Sequence, residues 1–546
     1  MRAEHRGRAA RLAVLSALVA VAGCHRPRTS VASKGPLRGG TLVYATDREP
    51  ICLDPHVAGD MPQVFVAEQY LDRLVSMDRD GHIRPWLASS WDISPDGRSY
   101  TFHLRHDVSF TDGTPLTAEA VRANLDQMRD PHTQSTTAGG YIRQYVGTDV
   151  LDAHTAVVHL SRPYAAFLEV LAQGFLGIES PRALARSRDD NCQSPVGSGP
   201  FRIVRWDHQS DIVFARNPDY HRAPPTARHQ GPAYLDGIVW KFIPEPQVRF
   251  ASLQAGELDV IDNLPPEDEL PAAKNPELRL LVADRPGNPT HGMLDTRRAP
   301  FNDIRVREAF VCSADIDGAL SSVFFGRYRR AGGPLSPTTP FYSPDFEHAK
   351  DYDPLRADRL LDEAGWRRGP DGIRERHGVR LVVEIPERAS LAPADRTLWE
   401  QVQATARQTG FDVRLEPMSD TQANQRVADW DDDVALGYWN TNTADVLRIV
   451  FGSAFLGRTG IGGHHQNNSG FSDPAYDRIM EAALETRDAA RRRVLYHQAQ
   501  AIISSRYLQI TTYPQTTRLA IRSDVHGVRI EPSLGVTSLY DAWLSR

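Results

Sequence analysis

Hydrophobic and polar positions repeat along this chain with two different periods. Near the front the period is two. Trp91-Asp92-Ile93 runs into Ser94-Pro95-Asp96-Gly97, where proline presets φ and glycine closes a turn. Tyr100, Phe102 and Leu104 then alternate with Thr101, His103 and Arg105, which predicts a half-buried strand. Asp112-Gly113 marks a second turn. Thr117 stands where an N-cap would, ahead of Val121, Leu125 and Met128 at helical spacing. Residues 41–45 predict a short strand ending in a polar loop.

Behind residue 350 helices and strands alternate. Asp353 is an expected N-cap with Pro354 in the first helical position; Ala357, Leu360, Leu361 and Ala364 follow, and Gly365 ends the helix. A strand is predicted over 379–385, a helix over 397–407, and strands over 411–415 and 434–438. Asp473-Pro474 opens a helix to about residue 484, and another covers 488–504. This order predicts an α/β lobe with a largely parallel sheet. No repeat or low-complexity tract interrupts it.

The amino terminus has a different character. Arg2, Arg6, Arg8 and Arg11 precede an apolar run of eleven residues, 12–22. A membrane span needs about 20, so this is read as a secretory signal. Val21-Ala22-Gly23-Cys24 resembles a bacterial lipobox, which implies cleavage before Cys24 and attachment of lipid to its thiol. Two or three acyl chains hold a protein stably on a membrane, whereas one is marginal. Residues 1–23 are thus a lipoprotein signal peptide and 24–40 a polar, Gly/Pro-bearing tether.

The chain has 546 residues, 41% of them hydrophobic and 24% charged, a length that suggests three or four domains, or two large lobes. The net charge of −6 lacks the basic excess of a nucleic-acid binder. Four lysines stand among 63 basic residues, so no single arginine marks a site without further support. Cys312 falls on a helical apolar face, where small buried cysteines are inert packing. Cys52 and Cys192 sit in loop-like surroundings, and export permits a bond between them. No paired Cys or His spacing suggests zinc. His464-His465 are adjacent and poorly placed to share an ion, and Asp431-Asp432-Asp433 is read as a solvated turn. Walker A, His-Glu-x-x-His and Gly-x-Ser-x-Gly sequences are missing. Neither catalysis, nor a cofactor, nor a metal is expected.

Several blocks in order resemble one family. They are Trp86-Leu87-Ala88-Ser89-Ser90-Trp91-Asp92, Tyr100-Thr101-Phe102-His103-Leu104-Arg105, Val108 through Glu119, Val196-Gly197-Ser198-Gly199-Pro200-Phe201, Asn217-Pro218-Asp219-Tyr220, Leu253-Gln254-Ala255-Gly256-Glu257-Leu258-Asp259, Arg305-Val306-Arg307-Glu308-Ala309-Phe310 and Leu360-Leu361-Asp362-Glu363-Ala364-Gly365-Trp366. Across residues 38–530 the chain is similar to the extracytoplasmic solute-binding proteins of ABC importers, in the peptide/nickel class. The resemblance implies a two-lobed α/β clamp of the type II periplasmic-binding-protein kind. Lobe I would span 41–285, with an extra β-rich subdomain at about 67–190; lobe II would span 286–516, and 517–546 would return to lobe I. It implies a monomeric, lipid-anchored extracytoplasmic receptor that captures oligopeptides or peptide-like solutes and passes them to an ABC permease and its ATPase subunits. The alternatives are a receptor for an oligosaccharide, siderophore or nickel chelate, or, from another class, an extracytoplasmic hydrolase.

The resemblance also points to ligand residues. Dipeptide-binding members grip the carboxylate with an arginine that Arg388 matches by its place after the 379–385 strand; a guanidinium fork suits the task. Tyr438, Trp439, Asn440 and Thr441 stand at a strand end, where α/β sheets hold ligands. Many members carry an aspartate for the peptide ammonium shortly after the Trp439 position. In this chain Asn440, Thr441 and Asn442 fill that stretch and Asp445 comes later, which puts a free-amine anchor in doubt. The lipobox reading is tested separately: Cys24→Ser is expected to leave the protein folded but unlipidated, and cell fractionation should find it released from the membrane.

Overall fold

The computed structural model describes residues 35–57, 59–347, 351–457 and 465–546. The signal segment, Cys24, most of the tether and His464 lie outside the described residues. Among the described residues no helix is long and apolar enough to cross a membrane.

The first lobe is built on a seven-stranded mixed sheet. Thr41–Thr46 lies at its centre, parallel to Gly237–Phe242 on one side and to Val260–Ile261 on the other. Antiparallel strands Asp211–Arg216 and Phe201–Asp207 extend one edge, and Thr516–Arg522 and Leu278–Asp284 the other. Tyr44 stacks on Trp240 with ring centroids 3.9 Å apart. An antiparallel sheet of Ala88–Ile93, Ser99–Leu104, Thr155–Leu160 and Tyr145–Asp152 stands beside it. Tyr100, Phe102 and Leu104 are buried as the alternation requires, and Gly97 N closes the expected turn on Ser94 O. Helix Ala118–Arg129 buries Val121, Leu125 and Met128; Thr117 holds the cap position without a side-chain cap bond. Gly197 packs directly on the main chain of Tyr70, where an added Cβ would come within 2.0 Å of the Tyr70 oxygen.

In the second lobe Gly287–Leu294 pairs with Val434–Asn440 and with Gln509–Thr511, both antiparallel; Val382–Arg388 and Asp412–Met418 form a parallel pair. The expected largely parallel sheet is thus replaced around its centre. The cause is chain connectivity. Gly287–Leu294 runs outward directly from the first lobe and Gln509–Thr511 runs back to it, so neighbours at that junction must oppose each other. Helices cover this lobe, among them Pro354–Glu363, Pro393–Thr409, Pro474–Glu485 and Ala489–Ser505, with Asp353, Asp473 and Asp488 as N-caps whose carboxylates accept main-chain N–H bonds. Its core, including Phe301, Phe310, Trp399 and Phe411, is separate from that of the first lobe.

Three local expectations change. Residues 379–380 belong to a small hairpin with Arg374–Arg376, and the strand proper is Val382–Arg388, so Arg388 ends the strand instead of following it. His465 is buried, its Nε2 donating to Ala428 O at 2.9 Å and its ring 4.2 Å from that of Trp430. Asp432 and Asp433 are 2% and 3% exposed, not solvated. Asp433 continues the sheet edge: its N–H donates to Glu384 O at 3.0 Å and its Oδ2 accepts from Glu384 N at 2.8 Å.

Burial, with Asp295 and Asp433 close by, pushes the Asp432 carboxyl up to about 7. A carboxyl raised in the folded state holds its proton after the unfolded chain has released its own. The penalty is therefore nil below about pH 4, grows with pH and is complete above about pH 7. Asp432→Asn removes that penalty and is expected to stabilise the protein by ~1–3 kcal/mol at pH 8 and little at pH 4. Thermal melts at the two pH values measure it.

Candidate functional site

The site forms where strand Val434–Asn440 ends against the crossover from the first lobe. Gly287 pairs with Asn440 and Asn288 with Trp439. Gly287 has φ +124°, and a Cβ there would meet Trp439 O at 1.9 Å, so only glycine fits. Thr441 N then donates to Pro286 O at 3.0 Å. Residues 439–441 are thereby fixed against residues 286–288.

Arg388 reaches this place from the neighbouring strand. Its Nη1 donates to Leu436 O at 3.1 Å and its Nε to Asn424 Oδ1 at 2.8 Å. Among the described residues no carboxylate stands within ion-pair distance of it. Desolvation, only partly offset by Asp420 and Tyr438, lowers its pKa from the usual arginine value. Tyr438 is 37% exposed and is the open aromatic of the strand end.

Opposite Tyr438 stands Arg48, in the loop after Thr41–Thr46. Arg48 is solvent-exposed, and the Tyr438 hydroxyl is close enough to act on its charge. Desolvation opposes its charge, but Tyr438, Asp60 and Asp47 outweigh it, and its pKa is raised. The loop is pinned just beyond Arg48. Glu49 accepts from Trp206 Nε1 at 2.7 Å and from Gln209 N at 3.1 Å. Farther along, Cys52 is bonded to Cys192, and Leu53 N donates to Cys192 O at 2.9 Å.

Next to this opening the lobes meet in a buried polar seam. Trp439 Nε1 donates to Tyr141 Oη at 2.8 Å, and burial pushes the Tyr141 phenol up to about 12. Gln173 Nε2 donates to Thr441 Oγ1 at 3.0 Å and to Asn442 Oδ1 at 2.7 Å, while Asn442 Nδ2 donates to Glu169 O at 2.7 Å. Glu169 pairs with Arg492 at 2.9 Å. Asn440 is 5% exposed, and its Nδ2 is buried without a partner. A groove of about 1160 Å³ runs past Asn442, Glu169, Arg492 and Pro286 and includes neither Arg388 nor Tyr438.

Of the residues singled out from sequence, Arg388 is half-buried and Tyr438 exposed near the strand end. Trp439 and Thr441 join the lobes instead. Asp445 is fully buried: Arg448 grips it through Nε at 2.8 Å and Nη2 at 2.6 Å, and Tyr164 Oη donates to it at 3.3 Å. Its oxygens are occupied, so it is not poised to receive a solute amine. Sequence reasoning missed Arg48, Tyr141 and Gln173. Only Arg48 left a trace, as a charged residue just beyond the first strand of a parallel pair.

Cys312 is buried and its thiol is pushed up to about 11 by burial, which removes it as a nucleophile. Two groups of metal-capable side chains occur among the described residues, Asp54-His56-Glu179 and Asp78-Asp80-His82. In the first, Asn191 bridges Asp54 and Glu179, and His56 is bonded to Gln127 and Gly177 O. The second is an exposed turn in which Asp78 accepts from the main chain of Asp80 and His82.

Residues 82–454 match the family model described as bacterial extracellular solute-binding proteins, family 5, middle region. The chain belongs to this family. It is 27% identical over 509 residues to the probable D,D-dipeptide-binding periplasmic protein DdpA of Escherichia coli (strain K12), covering 90% of this chain and 92% of that one. It is 28% identical over 486 residues to the glutathione-binding protein GsiB of Salmonella choleraesuis (strain SC-B67), covering 87% and 89%. Its fold matches the PBP AgaA in complex with agropinic acid from A. tumefaciens R10 with a TM-score of 0.77 at 24% identity, covering 92% and 99%. These relatives are solute-binding proteins, and the fold is their two-lobed α/β clamp. In this solute-binding protein Asp445 belongs to the clamp's own framework. Asp445→Ala would leave Arg448 buried without its partner and is expected to cost ~3–5 kcal/mol of stability. Asp445→Ala combined with Arg448→Leu should recover most of it in denaturant titrations.

Proposed function

We propose that this protein is a lipid-anchored, extracytoplasmic receptor of an ABC importer, acting as a monomer. It captures oligopeptides or peptide-like solutes and delivers them to a permease driven by ATPase subunits. Family membership and the peptide-derived ligands in the names of DdpA and GsiB support the cargo class. The observation that carries the reading is Arg388, a half-buried guanidinium at the strand end with no carboxylate within ion-pair distance among the described residues. A buried unpaired charge is costly, and a cargo carboxylate would relieve that cost through a forked, charge-assisted bond.

Tyr438, beside it, offers a ring and a hydroxyl to the cargo, and Asn440 offers its unpartnered amide. Trp439, Thr441 and Asp445 act one step back, by joining the lobes that hold the cargo. Closure on a solute follows from contacts that both lobes make at once. Arg48 from one lobe and Arg388 from the other supply the two sides.

Asn440, Thr441 and Asn442 fill the stretch where many members carry the acid for a peptide ammonium, and Asp445 is engaged by Arg448. The cargo is therefore held without an amine anchor. N-acetylation of a bound peptide is expected to cost little affinity. Amidating its C-terminus, or Arg388→Ala, should weaken binding at least tenfold, about 1.4 kcal/mol. Calorimetry with free, N-acetylated and C-amidated forms of one peptide tests this; loss of binding on N-acetylation would assign the amine to an acid such as Asp47.

A further inference from the structure

We infer that the cargo carries two anionic groups, the second held by Arg285 in the crossover between the lobes, with Arg48 closing over it. This rests on the receptor reading above and narrows its cargo to small polycarboxylates, including acidic peptide-like compounds.

Arg285 lies between strands Leu278–Asp284 and Gly287–Leu294, next to Pro286, whose carbonyl holds Thr441. It is 5% exposed. Its Nε donates to Thr517 Oγ1 at 2.8 Å, and its guanidinium lies 4.8 Å from the ring centroid of Phe65. Those two contacts fix its plane but do not neutralise its charge. Among the described residues its terminal nitrogens make no hydrogen bond, and no carboxylate lies within ion-pair distance.

Two other buried arginines also lack a carboxylate, and they show how this fold satisfies a purely structural guanidinium. Arg249 gives hydrogen bonds to the carbonyls of Ile243, Pro244 and Asn263, and Arg307 to those of Arg506 and Phe301. Arg285 has no such carbonyls. Of the acids that act on it, Asp262 is pushed up to about 7 by burial and by Asp47, and the hydroxyls of Tyr44 and Thr46 both donate to its Oδ2. Asp47 itself is shared with Arg48.

Tyr438 lies close enough to Arg285, Arg48 and Arg388 to act on the charge of each. They come from the crossover, the first lobe and the second lobe. An anion at Arg388 satisfies one of them. A second anion on the far side of Tyr438 would face Arg285 and Arg48 together, and its contacts would span both lobes, which favours closure. A neutral group in that place would leave Arg285 desolvated and unpaired.

The matched pair N-acetyl-Ala-Ala and N-succinyl-Ala-Ala tests the inference. Both lack an amine and end in the same carboxylate; only the second adds another at the opposite end. Titration calorimetry with the wild-type protein is expected to find the succinyl compound at least tenfold tighter. Arg285→Gln should abolish that preference while changing the acetyl compound's affinity less than twofold. Arg285→Lys, which keeps the charge, should retain part of it. Equal affinities in the wild type, or an unchanged preference in Arg285→Gln, would overturn the second anion site while leaving the receptor reading intact. If neither compound binds, the peptide-like cargo fails, and thermal shift with citrate against maltotriose decides the inference alone. Stabilisation by citrate in the wild type and not in Arg285→Gln supports it; no stabilisation by citrate overturns it.

Discussion

Gly287 has no room for a side chain because the carbonyl of Trp439 lies against it, and the rest of the site depends on that approach. It brings the end of strand Val434–Asn440 onto the crossover from the first lobe. Trp439 consequently reaches Tyr141 across the seam, and Thr441 is tied to Pro286. One close backbone contact thus sets two relationships: strand to crossover, and lobe to lobe.

The electrostatics sort the charged residues into two kinds. Asp445 with Arg448 and Glu169 with Arg492 are ion pairs withdrawn from water, each partner balancing the other. Such pairs add little net stability but fail badly when one member is removed, so they fix how the lobes and helices meet. Among the described residues, buried Arg285 and half-buried Arg388 have no carboxylate within ion-pair distance. An anionic cargo of the proposed kind would offset that imbalance, while the pairs sit in the framework. The disulfide and the Glu49 contacts hold the loop that supplies Arg48, so the first lobe presents its charge from a fixed position.

Legibility from sequence followed the range of the interactions. The hairpin at 91–104, the caps Asp353, Asp473 and Asp488, and the helices behind them depend on neighbours within a few residues, and their patterns could be read directly. Asp431-Asp432-Asp433 misled because burial is not local: Asp432 and Asp433 are covered by Asp295, Arg298 and Glu384, which come from other strands and loops. The parallel sheet expected in the second lobe misled for a similar reason, since strand direction was decided by the chain entering and leaving that lobe at one junction.

The sequence by itself determined the family, the alternation of strands and helices, and the place of Tyr438 near the end of a strand, because ordered motifs and periodicity are properties of neighbouring residues. Only the tertiary structure decided that Arg388 ends its strand, that Asp445 is spent on Arg448, that Trp439 is a lobe contact, and that Arg48 and Arg285 come close to Tyr438. Residues 48, 285, 388 and 438 are separated by tens to hundreds of positions. Whether a charge among them is paired or left open depends on which strands the fold lays side by side, and on how much water it leaves between them.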